Sequence, residues 1–366
     1  TFRNRKNFEM IINADVIDWA KSYSGQKYHA LFCDPPYHLE SIVKRFGKPD
    51  SAPAKTGVYS RFSKGFMGET WDGGDIAFRP DTWSALSEHL YPGAFGMAFA
   101  AARNFHRLAT AIEDAGLIIH PAIFGWVYGS GFPRATRIKL PAPFWNRYRY
   151  GAQAMKPALE PIILFQKPYE GRPTDCIEST GAGVLDIDAG RIGETGGETH
   201  AGGFQDRFVG GKVTNGGVKT DLTPRGRWPS NFILCDERSR NRLDLQAGTR
   251  ASQFFYAVQD RLQESSPVYY CSKASTKERN AGLWDKNPHP TIKPLDLTRY
   301  LASLLLPPEH YAPRRLLVPF AGTGSEMIGA ALAGWDEITG IEMNPAYIDI
   351  AERRSRYWLP CDSNLL

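Results

Sequence analysis

The sequence predicts an α/β fold, and three observations carry that prediction. Apolar, strand-like runs alternate with amphipathic stretches from residue 8 to residue 128, the pattern of βαβ units and a parallel sheet. A Gly-rich turn at Gly322-Thr323-Gly324 joins a strand-like run to a helix-like one. The apolar run Ala30 to Cys33 stops abruptly at Asp34-Pro35-Pro36. A buried strand stops this way at the edge of its sheet, because proline has no N–H to continue the ladder.

Taken in order, Phe8 to Ile12 reads as a short strand and Val16 to Tyr23 as a helix. Asp15 between them either accepts from a ligand's amine or caps the helix, and the residues themselves favour the cap. Beyond Tyr37, the polar, Gly-rich stretch from Leu39 to Gly74 embeds Tyr59, Phe62, Phe66 and Trp71. Long loops in compact domains are usually functional or disordered, so a mobile lid or substrate-contacting segment is expected there. Pro80 to Leu90 reads as a helix ended by Pro92-Gly93, and Ala94 to Ala101 as a buried parallel strand. Phe105 to Ala115 is an amphipathic helix stopped at Gly116, with His106 a packed or surface histidine rather than a ligand. Ile118 to Tyr128 is strand-like again.

From Phe132 to Tyr150, Arg134, Arg137, Lys139, Arg147 and Arg149 alternate with five aromatic rings. Such interleaving suits phosphates and unstacked bases; the alternative is a charged loop over an apolar patch. Glu160 to Lys167 is one more strand, closed by Pro168. Between Gly171 and Gly226 lie 14 of the chain's 35 glycines. That density predicts short strands and mobile loops in place of regular helix, with positive charge from Arg191, Arg207, Lys212, Lys219, Arg225 and Arg227. Phe232 to Leu234 and Val268 to Cys271 read as short strands. Pro294 to Leu306 is a helix, Arg315 to Pro319 a strand, Glu326 to Ala333 a helix, and Ile338 to Ile341 a strand ending at Glu342.

Composition bounds the class. The 366 residues suit one large or two modest domains, and the net charge of +5 permits a nucleic-acid partner without demanding one. The five cysteines are scattered, odd in number and without C-x-x-C spacing. They exclude a disulfide scaffold or zinc site, so no metal is expected. No run of eighteen apolar residues and no signal-peptide pattern occurs, which predicts a cytoplasmic protein with no membrane partner.

Two stretches carry chemistry. Asp34 and the Pro35 carbonyl can accept the two hydrogens of an exocyclic amine on a flat molecule while Tyr37 stacks on its face; a proline turn with a solvent-facing Asp is the plainer reading. The turn after Pro319, with an acidic residue 18 positions beyond Gly324, is how α/β folds bind a nucleoside: glycines admit the ligand, the helix N-terminus favours an anion, and the carboxylate binds ribose hydroxyls. Met327 stands at the third glycine position of the dinucleotide fingerprint, which is therefore incomplete.

Asp34-Pro35-Pro36-Tyr37 resembles the Asp-Pro-Pro-Tyr motif of DNA amino-methyltransferases, which methylate N6 of adenine or N4 of cytosine. With His289 to Pro294, Phe320 to Gly324 and Glu342 following in that order, the chain resembles their β class, in which the catalytic motif precedes the cofactor motif. Gly129-Ser130-Gly131-Phe132-Pro133, Arg227-Trp228-Pro229-Ser230-Asn231 and Lys273 to Asn280 are similar to phage- and prophage-type modification methylases. The resemblance implies a Rossmann-like methyltransferase sheet with circularly permuted motif order. Residues 1–168 would form the catalytic half, 169–285 an inserted Gly-rich target-recognition region, and 286–366 the cofactor-binding half.

It also implies roles. Asp34, Pro35, Pro36 and Tyr37 would be catalytic. Asp15, Asp34, Thr291, Lys293, Phe320, Ala321, Gly322, Thr323, Gly324, Glu342 and Asn344 would hold S-adenosylmethionine. Thr291 and the Phe320–Gly324 turn would meet its methionine part. Asp15 would sit by its adenine, which reverses the preference for a cap. Arg134, Arg137, Lys139, Arg147, Arg149, Arg207, Arg225 and Arg227 would meet double-stranded DNA. An Asp rather than a Ser at the motif's first position resembles the N6-adenine enzymes, acting on a base flipped from the stack. N4-cytosine, RNA or protein-glutamine acceptors and a catalytically dead DNA-binding module are the alternatives. The setting implied is a bacterial or phage-infected cytoplasm, in restriction–modification, with a homodimer left open. One departure stands out: the cofactor strand usually ends Asp-Pro-Phe, and here reads Val318-Pro319-Phe320.

Overall fold

A computed structural model describes residues 10–37, 75–128, 133–191, 196–198, 221–223, 228–234, 237–248, 251–257, 274–289 and 291–359. The expected lid from Leu39 to Gly74, the strand Val268 to Cys271, and Arg207, Lys212, Lys219, Arg225 and Arg227 lie outside the described residues.

The chain begins with β1 (Met10–Asn13), α1 (Val16–Ser22) and β2 (Tyr28–Cys33), then α2 (Pro80–Glu88), β3 (Leu90–Phe99) and α3 (Phe105–Asp114). Next come β4 (Ile118–Ile119), β5 (Phe124–Val127), β6 (Arg134–Arg137), β7 (Arg149–Gln153) and β8 (Leu159–Gln166). The middle holds α4 (Pro173–Thr180), β9 (Gly196–Glu198), β10 (Asp221–Thr223), β11 (Phe232–Leu234), α5 (Glu237–Ala247), β12 (Tyr256–Ala257) and α6 (Thr276–Asn280). The last stretch runs α7 (Leu295–Leu304), β13 (Arg315–Pro319), α8 (Ser325–Ala333), β14 (Glu337–Glu342) and α9 (Pro345–Trp358).

One ten-stranded sheet organises these elements, in the order β1-β14-β13-β2-β3-β8-β5-β11-β12, with β4 also paired to β8. From β1 to β3 the neighbours are parallel. The sheet as a whole is mixed: the strands within residues 8–128 run the same way, as expected, while β8 runs antiparallel to β3, β4 and β5. Side chains alternate across the sheet. Ala30, Phe32, Leu316 and Val318 face a core built with α7 and α8, while Leu31, Cys33 and Leu317 face one built with α1, α2 and α3. Strands covered on both faces read as continuous apolar runs. Each fully buried Leu or Phe of this kind contributes about 1.5–3 kcal/mol.

Three expectations are corrected. β3 starts at Leu90 and runs through Pro92-Gly93. It does so because the register opposite β2 jumps from Tyr28–Leu90 to Ala30–Phe95, and a bulge excuses Pro92 from the ladder. Ile118 to Tyr128 forms two strands, interrupted before Phe124, where Pro121 cannot donate to a ladder. Within residues 171–226 lies a helix, α4, with Pro173 in its first turn and Gly181 closing it at φ 73. The first glycine after Gly171 is Gly181, so the segment Pro173–Thr180 has a helix start and stop of its own.

Among the described residues no helix is long and apolar enough to cross a membrane. None of their His, Cys, Asp and Glu side chains gather into a group fit to hold a metal ion.

Candidate active site

The carboxyl ends of β1, β14, β13 and β2 lie side by side, because these strands are parallel neighbours; Asn13 is opposite Glu342 and Pro319 opposite Ile341. This edge of an open α/β sheet is where ligands bind. It brings Asp15, Glu342, the Phe320–Gly324 loop and Asp34 to one rim.

Asp34 follows β2 directly, and both its carboxylate oxygens are engaged. The Tyr37 hydroxyl donates to Oδ1 at 2.7 Å, and Lys293 Nζ donates to Oδ2 at 2.6 Å. Lys293 also donates to the Tyr37 hydroxyl at 3.0 Å and has Glu160 Oε2 at 3.7 Å. Its ammonium lies 4.7 Å from the ring centre of Phe99 and 5.3 Å from that of Tyr37. The Lys293 side chain is only 4% exposed. Burial pulls its pKa down, yet the carboxylates of Asp34, Glu160 and Glu326 together lift it above the usual lysine value. Burial, then Asp34 and Glu160, push the Tyr37 phenol well above its usual range. Glu326, buried in the first turn of α8, is raised to about 7 by burial and then by Asp34. The Tyr37 backbone carbonyl accepts from Asn104 Nδ2 at 2.8 Å, which ties the end of the motif to the start of α3.

The second half of the site is the loop between β13 and α8. Phe320, Gly322 and Gly324 all have positive φ, at 59°, 52° and 80°; the glycines take that region freely, while Phe320 holds it at a cost of order 1–3 kcal/mol. The loop is fixed at four points. Ala321 N–H donates to the Ile341 carbonyl at 2.9 Å and Gly324 N–H to that of Ala321 at 2.8 Å. Gly322 N–H donates to Glu342 Oε2 at 2.9 Å, and Arg354 Nη1 donates to the Thr323 carbonyl. Val318, where the resemblance expects Asp, is fully buried among apolar side chains. Those four bonds hold the loop without any carboxylate at 318.

Glu342 ends β14 and accepts from Gly322 N–H and, at 2.8 Å on Oε1, from Asn344 N–H. A carboxylate has about four lone-pair sites, so acceptor capacity remains for hydroxyl groups. Burial raises its pKa, opposed by these backbone donors. Asn344 caps α9 by accepting from Ala346 N–H. Asp15 likewise caps α1, accepting from Ile17 N–H at 2.8 Å and Asp18 N–H at 3.3 Å, the role the residues alone favoured. His289 is buried against Tyr347, and burial lowers its pKa to about 4. Thr291 is half-buried between His289 and Lys293 in the chain.

Arg137, Lys139, Arg147 and Arg149 are exposed on the antiparallel hairpin β6–β7 and its turn, beside exposed Phe144, Tyr148 and Tyr150. Arg134 starts β6. β5 ends and β8 begins at the same edge as Asp34, since β5 is antiparallel to β8 and β8 to β3. The hairpin therefore leaves and re-enters the sheet beside the site. Three residues had no local signal in the sequence. Glu160 is the second residue of β8, Asn104 precedes α3, and the fully buried Arg354 lies 31 residues from the loop it supports. Glu160 is a charge within an apolar run, which singles out no role, and Arg354 stands between Arg353 and Ser355.

No protein-family model matches the chain. Over 188 residues, 44% of this chain, it is 26% identical to the type II methyltransferase M.HindIII of Haemophilus influenzae. The match spans 59% of that protein, less than two thirds of its length. Among solved structures, the chain is similar to the cytosine-N4-specific PvuII DNA methyltransferase (14% identity, 99% of this chain and 89% of that one, TM-score 0.48). It is also similar to an M1.HpyAVI–SAM complex (13%, 94% and 98%, 0.41). A third likeness is to TTHA0409 of Thermus thermophilus, a putative DNA modification methylase, complexed with S-adenosyl-L-methionine (15%, 96% and 95%, 0.42). At TM-scores below 0.5 these structural likenesses stand as likenesses only.

Proposed function

We propose that the chain is an S-adenosylmethionine-dependent DNA methyltransferase that methylates the N6 amine of an adenine flipped out of the duplex. The observation that carries this reading is the shared rim: the buried Asp34–Tyr37–Lys293 cluster and the Phe320–Gly324 loop with Glu342 stand on adjacent parallel strand ends. One half suits an amine and the other a nucleoside. The relationship to M.HindIII supports the same class.

The residues present fit the cofactor. Positive-φ glycines let backbone approach it, and Glu342 keeps acceptor capacity for ribose hydroxyls. Bound there, S-adenosylmethionine supplies an electrophilic methyl group. The chain's own residues prepare the acceptor. An exocyclic amine is a poor nucleophile because its lone pair is delocalised into the ring. Asp34 and the Pro35 carbonyl accept its two hydrogens and turn that lone pair toward the methyl. The amine would take the methyl that bound S-adenosylmethionine would supply, and Asp34 would pass the amine's surplus proton to solvent. Positioning and fixed electrostatics supply most of the rate. The exposed cations and rings of the β6–β7 hairpin suit phosphates and unstacked bases, which favours a nucleic acid over a protein acceptor.

The test is product identity. Protein, methyl-labelled S-adenosylmethionine and unmethylated genomic DNA are incubated, and the digested nucleosides are resolved by mass. Labelled N6-methyldeoxyadenosine supports the reading in full. N4-methyldeoxycytidine keeps the mechanism and overturns the base. No labelled nucleoside, with cofactor binding intact, overturns DNA as the substrate.

A further inference from the structure

We infer that Glu160 is a positioning residue of this site: it receives the Lys293 ammonium when an acceptor amine takes Asp34. The inference rests on the reading of Asp34 as acceptor for the substrate amine, and it assigns a role to a residue on the far, antiparallel side of β3.

Each carboxylate oxygen of Asp34 already has a donor. Asp34 Oδ1 accepts from the Tyr37 hydroxyl and Oδ2 from Lys293 Nζ. Lone pairs remain on both oxygens, but an amine arriving at Asp34 competes with a buried ammonium 2.6 Å away for the same carboxylate. Lys293 cannot simply withdraw, because its side chain is 4% exposed and an unpaired buried ammonium is strongly unfavourable. It needs a second anion within reach. Glu160 Oε2 stands 3.7 Å from Nζ, against 2.6 Å for Asp34 Oδ2. Rotation about the terminal bonds of the lysine closes that gap of about one ångström beyond a hydrogen bond.

Three features prepare Glu160 for the exchange. It is the second residue of β8 and pairs with Trp126 of β5, so its backbone is fixed. Its carboxylate accepts from the Tyr128 hydroxyl, which orients it. The rings of Phe99 and Tyr37 lie under the ammonium, where aromatic faces favour a cation. The ionisable groups around Lys293 are Asp34 and Tyr37 after β2, Glu160 on β8, Glu326 on α8 and His289. Handing the ammonium from Asp34 to Glu160 changes no charge in that set, so no new buried ion is created. Asp34 Oδ2 is thereby released to accept from the substrate.

Glu160→Gln and Glu160→Asp test this under single-turnover conditions on duplex DNA. Gln keeps an acceptor for Tyr128 and removes the charge; Asp keeps the charge on a shorter stem. The expected result is a transfer rate lower on the order of 10- to 100-fold in Glu160→Gln, with S-adenosylmethionine and duplex affinities within about two-fold of the parent. Glu160→Asp recovers part of the rate. Parental transfer by Glu160→Gln overturns the inference. So does a rate loss matched by lost cofactor binding or unfolding, which marks a purely structural residue. Absence of methylation by the parent chain overturns the methyltransferase reading itself, and the parent run alongside keeps the two failures apart.

Discussion

Arg354→Met is the perturbation whose outcome the structure defines most closely. The guanidinium is completely buried, and it donates from Nη1 to the Thr323 carbonyl and, at 3.2 Å each, to Thr323 Oγ1 and Ser325 Oγ. Methionine fills similar volume without a donor. The Thr323 carbonyl is then left unsatisfied, at about 1–3 kcal/mol. Glu278 and Glu326, both of which hold up the Arg354 pKa, lose a neighbouring cation. Working the other way, burial depresses the Arg354 pKa to about 10, so dehydrating the guanidinium already opposes folding. Relief of that dehydration offsets part of the lost hydrogen bonding, leaving a net loss of about 1–3 kcal/mol. In a chain of 366 residues that lowers Tm by roughly 1–4 °C. Urea unfolding followed by tryptophan fluorescence and a cofactor titration read the two effects together. Cofactor affinity should fall more steeply than stability, since the lost donor holds the loop. An unchanged midpoint with unchanged affinity would refute the view that Arg354 props the loop from behind.

Three other outcomes are expected. Asp34→Ala loses transfer by about 10²–10⁴-fold while keeping most cofactor affinity; equal activity in a single-turnover assay ends the catalytic assignment. Gly324→Val combines a φ of 80° with a Cβ placed 3.0 Å from that of Ala351. The left-handed conformation alone costs about 1–2 kcal/mol, so calorimetric titration should show cofactor binding weakened about ten-fold, and a normal isotherm counts against the site. Glu278→Gln bears on pH. Burial raises the Glu278 carboxyl from 4.5 to about 7, so between those values the folded chain holds a proton the unfolded chain releases. Stability therefore declines as pH rises through that window. Gln removes the decline and can still accept from Leu295 N–H, gaining about 1–2 kcal/mol at pH 8 and nothing near pH 4; equal gains at both values contradict the linkage.

Much of this was legible in the sequence because it is encoded within a few residues. The strand Arg315–Pro319, the glycine turn, the helix after it and the strand ending in Glu342 each announce themselves by local apolar pattern and punctuation. The Asp34 strand end is equally plain, since two prolines stop the ladder. The direction of β8 was not legible: Leu159–Gln166 is an apolar run that reads identically whether the strand lies parallel or antiparallel to β3. The Lys293–Asp34 pair joins residues 259 apart, and no spacing rule reaches that far. Asp15 shows the opposite case. Its capping bonds to Ile17 and Asp18 are local, and the residue type just ahead of a helical pattern is enough to announce them.

The reversed strand has a further consequence for how such a chain can change. The segment from Tyr128 to Ala158 is anchored at both stems by adjacent strands of one sheet, its ends joined by the Tyr128 N–H to Ala158 carbonyl bond at 2.9 Å. The entropy lost in closing a loop across a fixed gap grows only slowly with length, about 0.6 kcal/mol per doubling. Insertions, deletions or wholesale exchange of the β6–β7 hairpin therefore leave the register of β5 and β8 intact, and with it Glu160. The arm behaves as a cartridge: its contents can be rewritten while the strands beneath it stay in place.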